Sequence, residues 1–186
     1  MIKKNVMING IPQILIAEPT ASLAEVLRTQ LKLTGTKVGC NEGHCGSCSV
    51  IIDNKLVRSC ITKISKIPEW ACITTIEGIG TPEKLDPIQK ALVLHGAPQC
   101  GFCMPGFVVS TKVLLQQNPS PSREDVRSWF QKNLNACRCT GYKPIVDAVM
   151  DAAAVMRGDQ PVDTLEYKLP ADGRIWGGTY PRPSAI

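Results

Sequence analysis

The chain has 186 residues, 44% of them hydrophobic, and a formal charge of +5, a size that fits one or two domains with modest cores. Basic residues are scattered and aromatic residues make up only 5%, so the composition gives little support to nucleic-acid binding. No stretch approaches the roughly twenty apolar residues that span a bilayer, and no secretory signal is visible. We therefore expect a cytoplasmic protein without a membrane span.

The first part of the chain predicts a small, mostly β domain. Asn9-Gly10 is a strong hairpin turn signal, and Ser22 followed by Glu25 is typical of a helix N-terminus. The helix is expected to extend to about Leu31. The strand candidates around these signals are residues 3–8, 13–16, 49–52, 56–59 and 73–76. This order of strands and one helix favours a β-grasp fold over residues 1–78.

The second part of the chain is predominantly helical. Three of its four helix candidates have proline near the first turn, and Ser122 with Asp125 is typical of a capping box at the start of the remaining one. The four candidates are residues 87–95, 105–117, 123–132 and 144–156. We expect an α+β protein in which residues 79–157 form an all-α four-helix bundle. Residues 158–186, rich in Pro, Gly and charged residues, are predicted to be an extended tail.

Eight of the nine cysteines fall into two groups of four. Their spacings are Cys40-x4-Cys45-x2-Cys48-x11-Cys60 and Cys100-x2-Cys103-x33-Cys137-x1-Cys139. A 2Fe-2S cluster needs four thiolates, two for each iron, and the first spacing is the plant-type ferredoxin arrangement. Each group therefore predicts one 2Fe-2S cluster, and two clusters predict an electron-transfer protein.

Disulfides and zinc sites are two other uses of cysteine. Disulfides are disfavoured because the number of cysteines is odd and because short C-x2-C spacings in an intracellular protein more often indicate metal or redox chemistry. Zinc is the stronger rival, since four thiolates also build tetrahedral structural sites. The first group does not resemble the two matched pairs of a zinc ribbon, but the second group taken alone is ambiguous. A thiolate-zinc structural or binding protein without redox activity therefore stays open as the alternative.

The geometry of the second group can be anticipated from its spacing. Two helices of similar length, residues 105–117 and 123–132, can run out and back as a hairpin and so bring Cys103 to Cys137. In an extended segment, Cys137 and Cys139 point the same way. Both Cys103 and Cys139 lead into helix N-termini, whose positive ends would then face an anionic cluster.

Three stretches of sequence carry a specific resemblance. They are residues 39–48 (GCNEGHCGSC), 99–106 (QCGFCMPG) and 135–142 (NACRCTGY), and they resemble the signatures of the molybdenum hydroxylases, the xanthine oxidase family. The resemblance covers residues 3–157. The tail, with residues 171–178 and 180–183, resembles the linker of this family's aldehyde oxidoreductases from sulfate-reducing bacteria, which leads into their molybdenum-binding portion.

The resemblance implies a division of labour. A partner portion would hold molybdopterin cytosine dinucleotide and oxidise an aldehyde to a carboxylic acid, while the present chain would carry the electrons away singly. It implies that Gln99 and Cys139 contact the pterin, so that the second cluster is the entry. The first cluster would be the exit, toward a flavin subunit or a soluble acceptor of the ferredoxin or flavodoxin type. No catalytic residue is expected in this chain.

For several other residues that could have a chemical function, we expect a structural role instead. Cys72, the ninth thiol, is expected to be a small buried hydrophobe. His44 is expected to be an exposed loop residue, and His95 to close a helix. Trp176 is the best candidate for an interface anchor among the tryptophans.

Overall fold

The computed structural model describes residues 1–160 and the backbone of two short strands, β6 (Arg174–Ile175) and β7 (Gly178–Thr179), which pair antiparallel. The predictions for the rest of the tail, including Trp176, lie outside the described residues. Among the described residues, no helix combines the length and the apolarity needed to cross a bilayer.

The N-terminal part is a mixed sheet covered by one helix. Its elements are β1 (Ile2–Ile8), β2 (Ile11–Ala17), α1 (Leu23–Thr29), β3 (Ser49–Ile52), β4 (Lys55–Arg58) and β5 (Cys72–Thr74). The strand order is β2-β1-β5-β3-β4, in which β1 and β5 are parallel and the other neighbours antiparallel. Asn9 and Gly10 both have positive φ, as a tight hairpin turn requires. The hairpin is confirmed.

The helix α1 begins and ends close to the predicted positions. Ser22 caps it by accepting a hydrogen bond from the N–H of Glu25, and the helix ends at Thr29, two residues before the expected end. Leu23 and Leu27 are fully buried against the sheet, where Val6 belongs to the same apolar core. This core holds the two ends of the loop between α1 and β3, which carries the first three cysteines.

The prediction for Cys72 was wrong. Its side chain is exposed, whereas the neighbouring Ile73 is 1% exposed and lies in the sheet core. Successive side chains of a strand point to opposite faces, so the burial of Ile73 turns Cys72 outward. The backbone N–H of Cys72 donates to the Asp53 carboxylate, which fixes the strand beside the turn after β3.

Four helices follow the sheet: α2 (Pro87–Leu94), α3 (Met104–Gln117), α4 (Arg123–Lys132) and α5 (Tyr142–Arg157). The predicted capping box of Ser122 and Asp125 is present. The helices share a second apolar core, in which the ring centroids of Phe107 and Phe130 are 4.8 Å apart in an edge-to-face contact. The fold is thus a ferredoxin-like sheet domain followed by a helical domain, and this order of domains confirms the prediction from sequence.

The two parts pack directly against each other. Ile51 of β3 joins Val109 and Val113 of α3 in a small apolar cluster. Beside it, a Cβ added at Gly106 would lie 2.4 Å from the carbonyl oxygen of Gly46 and 2.9 Å from Cα of Ser47. Only glycine allows the start of α3 to approach the first cysteine loop this closely.

We predict that Gly106→Ala lowers the free energy of unfolding by about 1–3 kcal/mol, because overpacking against backbone outweighs the better helix propensity of alanine. Thermal and denaturant unfolding measure this. The control is Gly158→Ala, where a Cβ meets nothing within 4 Å and the cost comes only from its φ of +84°. We also expect Gly106→Ala, but not Gly158→Ala, to release iron from the first site. An unchanged free energy of unfolding in Gly106→Ala would contradict the packing argument.

Candidate metal centres

The first group of cysteines comes together at one edge of the sheet domain. Cys40, Cys45 and Cys48 lie on the loop between α1 and β3, and Cys60 follows β4. The thiol of Cys40 contacts that of Cys45, and the thiol of Cys60 contacts that of Cys48. The four predicted residues are therefore gathered as two pairs.

The loop around these thiols is shaped as a cradle. The backbone N–H groups of Glu42 and His44 point at Sγ of Cys40, with N–S distances of 3.4 and 3.2 Å. Gly43 takes a φ of +76°, and a Cβ added at Gly39 would lie 3.1 Å from Sγ of Cys45. Amides aimed at sulfur stabilise negative charge, so the loop fits a cluster held by thiolates.

The second group comes together where α3 and α5 begin. Cys103 directly precedes α3, and Cys137 and Cys139 lie just before α5. The thiol of Cys103 contacts that of Cys137, and the thiol of Cys100 contacts that of Cys139. The structure thus brings together thiols that are separated by thirty-three intervening residues. The starts of both helices face the site, as the sequence predicted.

The pairing of thiols is the same in both groups. In the part of the chain that the structure describes, no three Cys, His, Asp or Glu side chains converge on a site for a single ion. The thiols contact each other two by two instead. A 2Fe-2S cluster takes two protein sulfurs on each iron, and both groups fit this requirement.

Burial divides the thiols into two chemical types. Burial raises the pKa of Cys60 to about 12, with the contact to Cys48 as a further cause. Burial likewise raises the pKa of Cys103 to about 12, aided by Cys137. For Cys40, burial also acts to raise the pKa, but the amides of Glu42 and His44 and the neighbouring Cys45 outweigh it and lower the pKa to about 7.

The second site has an outer and an inner pair. Cys103 and Cys137 are each 7% exposed, whereas Cys100 is exposed and Cys139 is half-buried. Gln99 is exposed beside the site: a Cβ added at Gly141 would lie 3.4 Å from Gln99 Nε2 and 4.0 Å from Sγ of Cys137. Gln99 and Cys139, the two predicted pterin contacts, therefore lie close to the same site.

One hydrogen bond connects the two cysteine loops. The N–H of Ala136 donates to the carbonyl oxygen of Cys45 at 3.0 Å. Cys45 belongs to the first group, and Ala136 directly precedes Cys137, which belongs to the inner pair of the second. The two candidate centres are thus neighbours, joined by this backbone hydrogen bond.

Two site residues have roles that the sequence did not indicate. The hydroxyl oxygen of Tyr142 accepts a hydrogen bond from the N–H of Cys137 at 2.9 Å and so orients this ligand candidate. The Phe102 ring lies over Gly39, 3.4 Å from the position a Cβ would take there. In the sequence, the only indication of these roles is that Tyr142 and Phe102 lie near predicted cysteine ligands. That nearness does not specify which groups their side chains contact.

The remaining predictions for side chains near the sites are confirmed. His44 is exposed on the first loop. His95 closes α2, and its Nε2 lies 2.8 Å from the carboxylate of Asp151 on α5.

Two family models match the chain, one for each part. The model described as a 2Fe-2S iron-sulfur cluster binding domain matches residues 6–77, and the model described as a 2Fe-2S binding domain matches residues 75–150. The chain is therefore a protein with two 2Fe-2S binding domains.

Comparison with curated proteins and solved structures narrows this class. The chain is 63% identical over its full length to aldehyde oxidoreductase of Megalodesulfovibrio gigas and spans 20% of that protein. It is 43% identical over 148 residues to the nicotine 6-hydroxylase small subunit of Paenarthrobacter nicotinovorans and spans 87% of that subunit. The crystal structure of aldehyde oxidoreductase from Desulfovibrio desulfuricans ATCC 27774 matches with a TM-score of 0.88 and 58% identity, over 99% of this chain and 20% of that one. Quinoline 2-oxidoreductase from Pseudomonas putida 86 matches with a TM-score of 0.78 and 42% identity, over 86% of this chain and 98% of the matched one. The chain belongs to the molybdenum hydroxylase (xanthine oxidase) family and corresponds to its iron-sulfur, electron-transferring part.

We predict that Cys60→Ser halves the iron bound per chain, because serine replaces one of four thiolates in the first site and leaves the second intact. Iron analysis and the visible spectrum measure this. Cys72→Ser is the matched control, since Cys72 is exposed and belongs to neither group. Loss of all iron in Cys60→Ser would contradict the independence of the two sites.

The thiol pKa values predict an order of alkylation in the cluster-free chain. The thiolate is the reactive form, and the pKa of Cys40 is about 7 whereas that of Cys60 is about 12. Cys40 should therefore react before Cys60, with a rate that rises through neutral pH and then levels off. Mass spectrometry of the alkylated peptides measures the order, and faster labelling of Cys60 than of Cys40 in the folded chain would contradict the assignment.

Proposed function

We propose that this chain is the electron-transfer module of a molybdenum-dependent aldehyde oxidoreductase. The single observation that carries the proposal is the arrangement of the thiols: an outer pair with exposed Cys100 and half-buried Cys139, a buried inner pair and then, joined by a backbone hydrogen bond, the first site. We propose as ligands the eight residues Cys40, Cys45, Cys48, Cys60, Cys100, Cys103, Cys137 and Cys139. When bound, each 2Fe-2S cluster accepts and releases one electron.

In this proposal, electrons enter the chain at the second site. Cys100 and Cys139, with Gln99 beside them, form the face of the second site that a partner can reach. We assign Gln99 and Cys139 as the contacts to molybdopterin cytosine dinucleotide in a catalytic partner portion. That portion would oxidise an aldehyde to a carboxylic acid. This chain would accept the electrons from that portion, because its Cys139 sulfur and Gln99 amide would contact the partner at the accessible edge of the second site.

The first site is the exit in this proposal. Cys40 and Cys45 are half-buried, and His44 between them is exposed, so this loop is open to an acceptor. A flavin subunit or a soluble acceptor of the ferredoxin or flavodoxin type would take electrons here. The backbone N–H groups of Glu42 and His44 point at Sγ of Cys40 and favour the reduced, more negative state of a cluster bound there. They would therefore raise its reduction potential relative to a loop without these N–H groups.

The organisation of the chain is part of the proposal. We propose domains at residues 1–78 and 79–157, the second a four-helix bundle formed by α2 to α5, and a linker over residues 158–186 toward the molybdenum-binding portion. A cytoplasmic location suits nine cysteines that form no disulfide.

Zinc is the alternative against which the proposal is tested. A structural zinc ion takes four ligands around one centre, whereas the thiols here contact two by two. The test is analysis of iron and acid-labile sulfide in the purified chain, with a visible spectrum recorded before and after reductant. Iron, sulfide and a spectrum that bleaches support the proposal, and a colourless protein with two zinc ions would refute it.

The assignment of Gln99 predicts a kinetic effect in the complete enzyme. Gln99→Ala should slow reduction of the iron-sulfur centres by substrate while leaving iron content unchanged, because Gln99 is exposed beside the thiols without being one of them. Stopped-flow spectroscopy measures the rate. The control is Gln117→Ala, an exposed position at the far end of α3. Equal rates in both variants would remove Gln99 from the electron-entry site.

A further inference from the structure

A short chain of hydrogen bonds lies behind the contact between the two cysteine loops. Trp129 Nε1 donates to Ser110 Oγ at 2.9 Å, and Ser110 Oγ donates to Asn135 Oδ1 at 2.8 Å. Ser110 is fully buried and Asn135 is 6% exposed. The three residues come from α4, from α3 and from the loop before Cys137, so the chain ties this loop to two helices. We refer to these residues as the Trp129–Ser110–Asn135 chain.

The direction of the hydrogen bonds fixes the orientation of the Asn135 amide. An indole N–H can only donate, so the single proton of Ser110 is free for Asn135, which must present its oxygen. The amide nitrogen of Asn135 then faces the first cysteine loop. A Cβ added at Gly46 would lie 2.8 Å from this nitrogen and 3.2 Å from Cα of Asn135, so the two loops touch here.

The contact made by Asn135 adjoins both candidate centres. Gly46 directly follows Cys45, whose carbonyl oxygen accepts the N–H of Ala136. Ala136 directly follows Asn135 and precedes Cys137. An altered position of Asn135 would therefore displace the hydrogen bond that joins the two loops.

We propose that Asn135 is a positioning residue for electron transfer between the two centres, held in place by Ser110 and Trp129. It fixes the Ala136–Cys45 hydrogen bond and so sets the spacing and the electronic coupling of the centres. In this step, one electron passes from the second site to the first site. The transfer oxidises the second site and reduces the first, and no bond forms or breaks. This inference rests on the proposed function.

The test uses the iron-loaded chain and four variants. Asn135→Ala removes the amide, and Asn135→Asp keeps the shape and the acceptor for Ser110 but replaces the nitrogen that faces Gly46 by an acceptor oxygen. Trp129→Phe removes the hydrogen bond to Ser110 and retains most of the packing, whereas Ser110→Ala removes both hydrogen bonds of the chain. The matched controls are Asn118→Ala at the end of α3 and Ser128→Ala on the exposed side of α4.

Two measurements report the coupling in variants with full iron content. They are the magnetic interaction between the two centres in the electron paramagnetic resonance spectrum of the fully reduced protein, and the rate at which an electron equilibrates between them after photoreduction. We expect both to fall several-fold in Asn135→Ala and Asn135→Asp, to fall less in Trp129→Phe and Ser110→Ala, and to be unchanged in the controls.

The outcomes separate this inference from the proposed function. Wild-type coupling in iron-loaded Asn135→Ala and Asn135→Asp would overturn the positioning role, even if both variants melt at a lower temperature. If Asn135→Ala does not load iron, Trp129→Phe and Ser110→Ala decide, and wild-type coupling in both would overturn the role as well. A wild-type chain without iron or sulfide would instead overturn the proposed function.

Discussion

The contact between thiols from distant parts of the chain is the constraint on which the structure depends. Cys60 must return to Cys48 across a hairpin, and Cys103 must meet Cys137 across two helices. Burial holds the pKa of Cys60 and of Cys103 at about 12, so these thiols are protonated in the cluster-free chain at neutral pH. Binding of a cluster must displace those protons, and the free energy of binding is coupled to folding in the same way as for other buried thiolate sites.

The two centres differ in how they meet solvent. In the second centre the inner pair is buried and the outer pair is open. In the first centre the pair that includes Cys45 lies toward the second centre through the Ala136 hydrogen bond. In the proposed function, an electron that enters at the outer pair passes to the first centre beside this hydrogen bond. In the same proposal the helical domain provides the entry, and the sheet domain carries the centre next to it.

Sequence reasoning was most successful where the determinants are local. The spacing of the cysteines, the Asn9-Gly10 turn and the caps at Ser22 and Ser122 act within a few residues, and the structure contains the elements they predict. It was wrong for Cys72, because the face to which a short strand turns a side chain depends on the register of the sheet. The domain boundaries, the ligand sets and the pterin contacts stay predictions.

These tertiary contacts could not be predicted from sequence, since each depends on how separate elements of the chain pack. Ser110 and Asn135 are separated by 25 positions, and nothing near either residue indicates the other. The same holds for Gly106, whose position inside a helix would ordinarily count against helix stability. Its lack of a side chain is explained only by the carbonyl of Gly46, which lies where a Cβ would be. Gly106 therefore costs local helix stability and in return permits the close approach of α3 to the first cysteine loop.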